Sequence, residues 1–303
     1  MTDSLFDIYL PLIGWTLAGV LLLRALPEMV PKLMGRSLYW VGVPVQVLAF
    51  MQRADLTQTV WLVPVIVVSA LLAGMMMAGA ICWRFPKEQH GSFLLSAVLG
   101  NTGFVGLAVA PYLVTDAYLG WVVLFSLAHN IIGSYGLGVV ISSYYGDRVK
   151  QVSWLTHLKA VTVTPTLWAF GLGMWLQWQQ IELLAPVNHG LQMVAKVVAP
   201  VALLLVGIRL RQMQSWQGFM AAVPAVTIKA LLLPLAVGLG LTGLGIKGMP
   251  CLAMVLEAGM PTALAGVILA EEYNVAHKEI IVLSIALSSV GVLITIPLWL
   301  WLF

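Results

Sequence analysis

The sequence predicts an all-α integral membrane protein of ten transmembrane helices, built as two inverted five-helix repeats over residues 1–150 and 151–303. Three observations carry this expectation: composition, segmentation and an internal echo. Charged residues make up 9% of the 303 and hydrophobic residues 61%, whereas soluble domains hold about 25% charged residues. There is too little polar surface to coat a globule in water. The apolar residues fall in ten runs divided by short polar punctuation, and a bilayer core takes roughly 20 helical residues to cross. The 15 basic and 12 acidic residues leave a formal charge of +3 without clustered positives, which excludes a nucleic-acid binder.

The runs cover residues 6–25, 34–52, 60–83, 91–114, 118–144, 159–178, 188–208, 217–241, 249–270 and 280–302. They are continuous rather than alternating, so helices rather than barrel strands satisfy the backbone in lipid. The first run follows an acidic stretch holding Asp3 and Asp7 and precedes no small-residue cleavage site. A retained helix rather than a signal peptide is expected there. Alternate connections hold Arg24, Lys32, Arg36, Arg84, Lys87, Arg148, Lys150, Lys159, Arg209, Arg211 and Lys278, against Arg53 and Lys247 in the opposite set. This bias of 11 to 2 puts the first set in the cytoplasm and both termini outside, in a plasma membrane. Cys82 and Cys251 fall near opposite faces and in no CxxC or Cys/His cluster, so neither a metal site nor a disulfide between them is expected. Met75-Met76-Met77 reads as lipid-facing or core filler, and Trp175 and Trp178 read as interfacial anchors.

The second half echoes the first. Val41-Gly42-Val43-Pro44-Val45 resembles Val197-Val198-Ala199-Pro200-Val201, with the prolines 156 residues apart, and Gly100 and Gly259 stand 159 apart in similar settings. An odd number of spans per repeat inserts the second copy upside down, as in inverted-repeat transporters.

Runs 4 and 9 are interrupted at comparable depth. In run 4, Gly100-Asn101-Thr102-Gly103 falls about ten residues in, roughly 15 Å deep at 1.5 Å per residue. Gly100 suits a left-handed helix end, and Asn101 or Thr102 suits the N-cap of a new helix. In run 9, which reads Glu257-Ala258-Gly259-Met260-Pro261-Thr262, Gly259 can end one half-helix and Pro261 can occupy the first turn of the next. Breaks in hydrocarbon leave backbone groups that need partners. Paired breaks place a substrate site between the repeats, with helix N-termini favouring an anion. The alternative is close helix packing by glycine and a simple kink at Pro261.

Three stretches resemble the auxin efflux carrier family of membrane transporters. They are Gly100-Asn101-Thr102-Gly103-Phe104-Val105-Gly106-Leu107, Ala199-Pro200-Val201-Ala202-Leu203-Leu204-Leu205-Val206-Gly207, and Met260-Pro261-Thr262-Ala263 continuing through Ile268-Leu269-Ala270-Glu271-Glu272-Tyr273-Asn274. With the matching span number, the resemblance covers essentially the whole chain. It implies crossed broken helices 4 and 9, in an architecture resembling sodium/proton antiporters and bile-acid transporters. It also implies a scaffold of helices such as 1, 2, 6 and 7, and an organic-anion permease such as an auxin or malonate carrier. Ala108 departs from the proline often found there, and the short connection from Tyr145 to Lys159 suggests a bacterial form, hence the inner membrane.

The candidate substrate-binding residues are Asn101, Thr102, Gly103, Gly259, Met260, Pro261 and Thr262 at the breaks, with Lys196 and Gln46 in runs 7 and 2. Ionisable residues inside spans default to functional hypotheses. Glu257, Lys229, His129 and Asn130 are therefore candidates for coupling a proton or sodium ion. Each has a bland counterpart. Glu257 and Lys229 form either a coupling site or a permanently charged packing pair, and Lys196 either meets a carboxylate or snorkels outward. His129 is a relay or a hydrogen-bonding group, and Gln46 meets substrate or satisfies the kink beside Pro44.

No nucleotide-binding loop appears, so an ion gradient or the membrane potential would drive transport. A membrane-embedded enzyme would need intramembrane aspartates, HExxH or a Ser/His arrangement, none of which stands out, so no catalytic residue, metal or resident cofactor is expected. A transporter-like receptor that binds without moving its cargo is the other rival. The expected partners are a small organic anion and the lipid bilayer, with a homodimer as a candidate assembly.

Overall fold

Every apolar run contains helix in the computed structural model, which describes residues 2–22, 29–55, 59–146, 162–211 and 216–303. Among the described residues there is no strand, only two isolated bridges. The first run is α1 (Thr2–Leu22). The second is α2 (Met29–Ser37) and α3 (Val43–Met51), joined through a π-helical turn at Leu38–Gly42. Next come α4 (Val63–Cys82), then α5 (Lys87–Val98) and α6 (Leu107–Leu113), the two halves of run 4. Run 5 is α7 (Leu119–Ala128) and α8 (Val139–Tyr145), continuous through π-helical His129–Gly138. In the second half, α9 (Pro165–Trp178) and α10 (Ala185–Arg211) precede α11 (Phe219–Thr227), which passes through π-helical Ile228–Leu232 into α12 (Leu233–Gly243). Run 9 is α13 (Met249–Ala258) and α14 (Leu264–Glu272), and α15 (Lys278–Leu302) closes the chain.

Among the described residues, five helical stretches are long and apolar enough to cross a membrane: Val60–Cys82, Asp116–Tyr145, Ala185–Ile208, Phe219–Gly243 and Lys278–Leu302. Runs 4 and 9 are shorter pieces because they are interrupted. Arg24, Arg148, Lys150 and Lys159, four of the residues used for orientation, and the 150/151 repeat boundary lie outside the described residues.

The packing falls into two groups. Helix α1 lies against α10, and α3 packs on α9 and α10. The α1–α10 contact is close enough that a Cβ on Gly19 would come within 3.0 Å of the Gly207 Cα, the small-residue approach common between membrane helices. Helices α4, α5, α11, α12, α13 and α15 also pack on one another, and the first group meets this one where α10 touches α15 and α6. Met76, Trp175 and Trp178 point outward, and Cys82 and Cys251 are buried free thiols.

Candidate functional site

Both predicted interruptions are present, and they meet. Helix α5 stops at Val98, and Leu99–Asn101 run extended before a π-helical turn at Thr102–Gly106 opens α6. Helix α13 stops at Ala258, and residues 259–263 are non-helical up to α14. The two extended pieces form an antiparallel bridge at Gly100 and Thr262. The Asn101 N–H donates to the Pro261 carbonyl at 2.7 Å, and the Ala263 N–H donates to the Leu99 carbonyl at 2.9 Å. Each break thus satisfies part of the other's backbone, removing the penalty of bare peptide groups in an apolar interior. Thr262 fastens the pair further, since its hydroxyl donates to the Ser96 carbonyl on α5 and its N–H to Ser288 Oγ on α15.

Three local expectations are corrected. Gly100 is not left-handed; glycine is needed there because a Cβ would stand 2.6 Å from Lys229 Nζ. Asn101 precedes the second half-helix, yet its side chain makes no capping bond. Pro261 lies in the extended piece rather than in a first turn, and Ala263 is the residue that caps α14. Gly259 does end α13, and Met260 is buried beside it.

A cavity of about 420 Å³ opens against the pairing. Gly100, Asn101, Gly103 and Phe104 line it from one break, and Ala263, Leu264 and Ala265 from the other. Both new helices start there. The first-turn N–H groups of Thr102, Gly103 and Phe104, and of Leu264 and Ala265, find no acceptor among the described residues. The remaining polar lining is neutral: Ser126, Asn130 and Ser134 spaced four apart on one helix with Tyr135 beside them, together with Tyr39, Thr164 and Thr166. Tyr39 stands close enough to Tyr135 and Thr164 for its hydroxyl to interact with both. The Ser134 hydroxyl is buried without a partner, as is that of Thr102 at the half-helix start. Among the described residues no charged side chain lines this cavity.

The ionisable candidates gather elsewhere around the same pairing. Lys229 is 1% exposed and donates to the Ala258 carbonyl at 2.7 Å, at the C-terminal end of α13. Glu257 is 2% exposed, with Oε2 unpartnered. It packs into the space left by Gly106, where a Cβ would lie 2.6 Å from that oxygen. No Lys229–Glu257 contact falls within ion-pair distance among the described residues, so the two interact across a gap. His129 stacks on Phe125 and accepts the Gly100 N–H at 3.4 Å through Nε2. The glycines of the first break each make room for a polar group: Gly100 for Lys229, Gly106 for Glu257, and Gly103 for Asn130, whose Nδ2 would stand 3.1 Å from a Cβ.

Of the nine substrate-binding candidates, Asn101 and Gly103 line the cavity; Thr102, Gly259, Met260, Pro261 and Thr262 are buried at the breaks without lining it, and Gln46 and Lys196 lie elsewhere. Gln46 donates to the Leu107 carbonyl at 3.0 Å, supporting the start of α6, and Lys196 is exposed on α10. Residues that sequence reasoning passed over are Tyr39, Tyr135, Thr164, Ser126 and Ser134. The i, i+4, i+8 spacing of Ser126, Asn130 and Ser134 was the available signal. All four π-helical segments contribute to the cavity or to the ionisable cluster, in keeping with the frequent occurrence of such segments at functional sites.

Among the described residues no group of three or more His, Cys, Asp or Glu could hold a metal ion. The family model for membrane transport proteins matches residues 26–300. The chain is 27% identical over 227 residues to the uncharacterized transporter YfdV of Escherichia coli K12, covering 73% of this chain and 71% of that one. It is 25% identical over 300 residues to an uncharacterized transporter of Methanothermobacter thermautotrophicus, covering 96% and 94%. Helices broken in pairs around a cavity, in an apolar chain matched along most of its length, place this protein in the membrane transport protein family of the auxin efflux carriers.

Proposed function

We propose that this membrane protein is a secondary transporter that moves a small organic anion, a carboxylate, by alternating access across a bacterial inner membrane. The carrying observation is the cavity at the helix breaks, which offers unpaired N–H donors from two half-helix starts and no charged side chain. Each helix N-terminus favours an anion by roughly 0.3–2 kcal/mol. Asn101, Gly103, Asn130 and Ser134 add neutral donors and acceptors at its wall. An anion can be held there by oriented dipoles without a lysine that would hold it too tightly to release. The apolar remainder, including Phe104, Ile131 and Ile268, suits one carboxylate on an apolar body. Ten spans in two inverted repeats, with both termini outside, complete the reading. The packing of α1, α3, α9 and α10 as one group supports a scaffold against which the broken helices move.

Purified protein in liposomes preloaded with unlabelled carboxylate tests this by counterflow. Labelled carboxylate should accumulate transiently, and Asn101→Ala should reduce the initial rate about tenfold, the equivalent of 1.4 kcal/mol. Binding without exchange would identify a receptor instead. Absence of both, across aliphatic and aromatic mono- and dicarboxylates, would overturn the reading.

A further inference from the structure

We infer that Lys229 is a tethered cation, its ammonium occupying the place at the helix breaks where a dissociable monovalent cation would otherwise bind. The inference rests on the transporter reading and specifies how that transporter is charged. Helices α5 and α13 both end at the pairing, at Val98 and Ala258. A helix C-terminus carries roughly half a negative charge on its unpaired carbonyls, and in membrane transporters such carbonyl ends coordinate coupling ions. Here the Lys229 ammonium bonds to one of these ends and stands beside the residue that follows the other. It donates to the Ala258 carbonyl at 2.7 Å, and it sits where a Gly100 Cβ would lie 2.6 Å away, just past the end of α5. Glu257 supplies a further buried carboxylate, with Oε2 unpartnered. A single covalent cation thus bonds the α13 end and stands beside Gly100, two residues past the end of α5, with the Glu257 carboxylate buried nearby. His129 is the other titratable group facing Gly100, and it accepts a backbone N–H there.

Two features set Lys229 apart from a packing lysine. It stands on the π-helical turn Ile228–Leu232, which offsets it from the regular helical register. It also makes no contact ion pair with Glu257 among the described residues, so the carbonyl end rather than the carboxylate fixes its position. Anion movement would then need no stoichiometric sodium or potassium ion. Removing the ammonium would leave an electronegative hole of ionic size.

The test uses thermal unfolding of purified protein in choline, sodium and potassium chloride at equal ionic strength. Wild type should melt within about 1 °C in all three. Lys229→Ala should melt lower in choline and recover at least half of the loss in sodium or potassium, saturably, because a cation now binds only the folded state. Lys229→Arg, which keeps the charge, should not respond. Should Lys229→Ala fail to accumulate, Gly100→Ala, which drives the ammonium off the Ala258 carbonyl, should show the same cation response. A saturable sodium effect on wild type, or an equal loss in all three salts for both variants, overturns the inference. These melts contain no carboxylate, so a negative counterflow result with a positive cation response would sink the transport reading and leave the cation site standing.

Discussion

On the cavity side, the pairing of Leu99–Asn101 with Pro261–Ala263 presents helix starts, hydroxyls and amides. Around its other flank it meets Lys229, Glu257 and His129, all buried and none lining the cavity. The contrast follows from the polarity of the chain. Each break creates one helix end of each sign, and the pairing sorts them, with the helix starts at Gly103–Phe104 and Leu264–Ala265 lining the cavity and the Ala258 carbonyl bonded to a buried cation. On the proposed reading, a binding surface neutral in its side chains attracts an anion through helix starts, while the charged groups lie outside the cavity lining.

This division predicts that substitutions on the two flanks fail differently. The largest effect is expected from Lys229→Met. It strands Glu257 without a compensating charge and should cost about 3–5 kcal/mol in thermal or chemical unfolding, with Glu257→Gln in the same chain restoring part of the loss. If Lys229→Met unfolds like wild type, the buried flank carries no balancing charge. Next, Asn101→Leu should lower carboxylate counterflow at least tenfold while shifting the melting temperature by no more than about 2 °C. Gly103→Ala, whose Cβ would stand 3.1 Å from Asn130 Nδ2, should raise the apparent KM several-fold with the maximal rate nearly kept. Gln46→Leu should cost about 1 kcal/mol through the lost bond to the Leu107 carbonyl, with no change in substrate preference. Lys196→Gln should change stability by less than about 0.5 kcal/mol and leave transport intact. A transport defect there would move the site toward α10.

The breaks were legible because glycine, proline and asparagine interrupt otherwise apolar runs, and periodicity cannot hide them. The reasons for the individual residues were not. Gly100 and Gly106 look like backbone punctuation, yet each is small to admit a side chain from another helix, a contact spanning more than a hundred residues of sequence. Pro261 has the composition of a helix start and is drawn instead into an extended piece, because its carbonyl is needed by Asn101. The hydroxyls of Tyr39, Tyr135 and Thr164 come from three separate runs, and local sequence cannot report that they converge. The π-helical turns likewise follow from packing rather than from a local signature.

The reciprocal backbone bonds between residues 99–101 and 261–263 act as a rivet. Sliding one interrupted helix past the other would shear both bonds within a pairing where Leu99 and Thr262 are fully buried. The two interruptions therefore travel as a single stiff cartridge. On the alternating-access reading, a hinge that exposes the cavity first to one face and then to the other has to sit at that cartridge's outer margins.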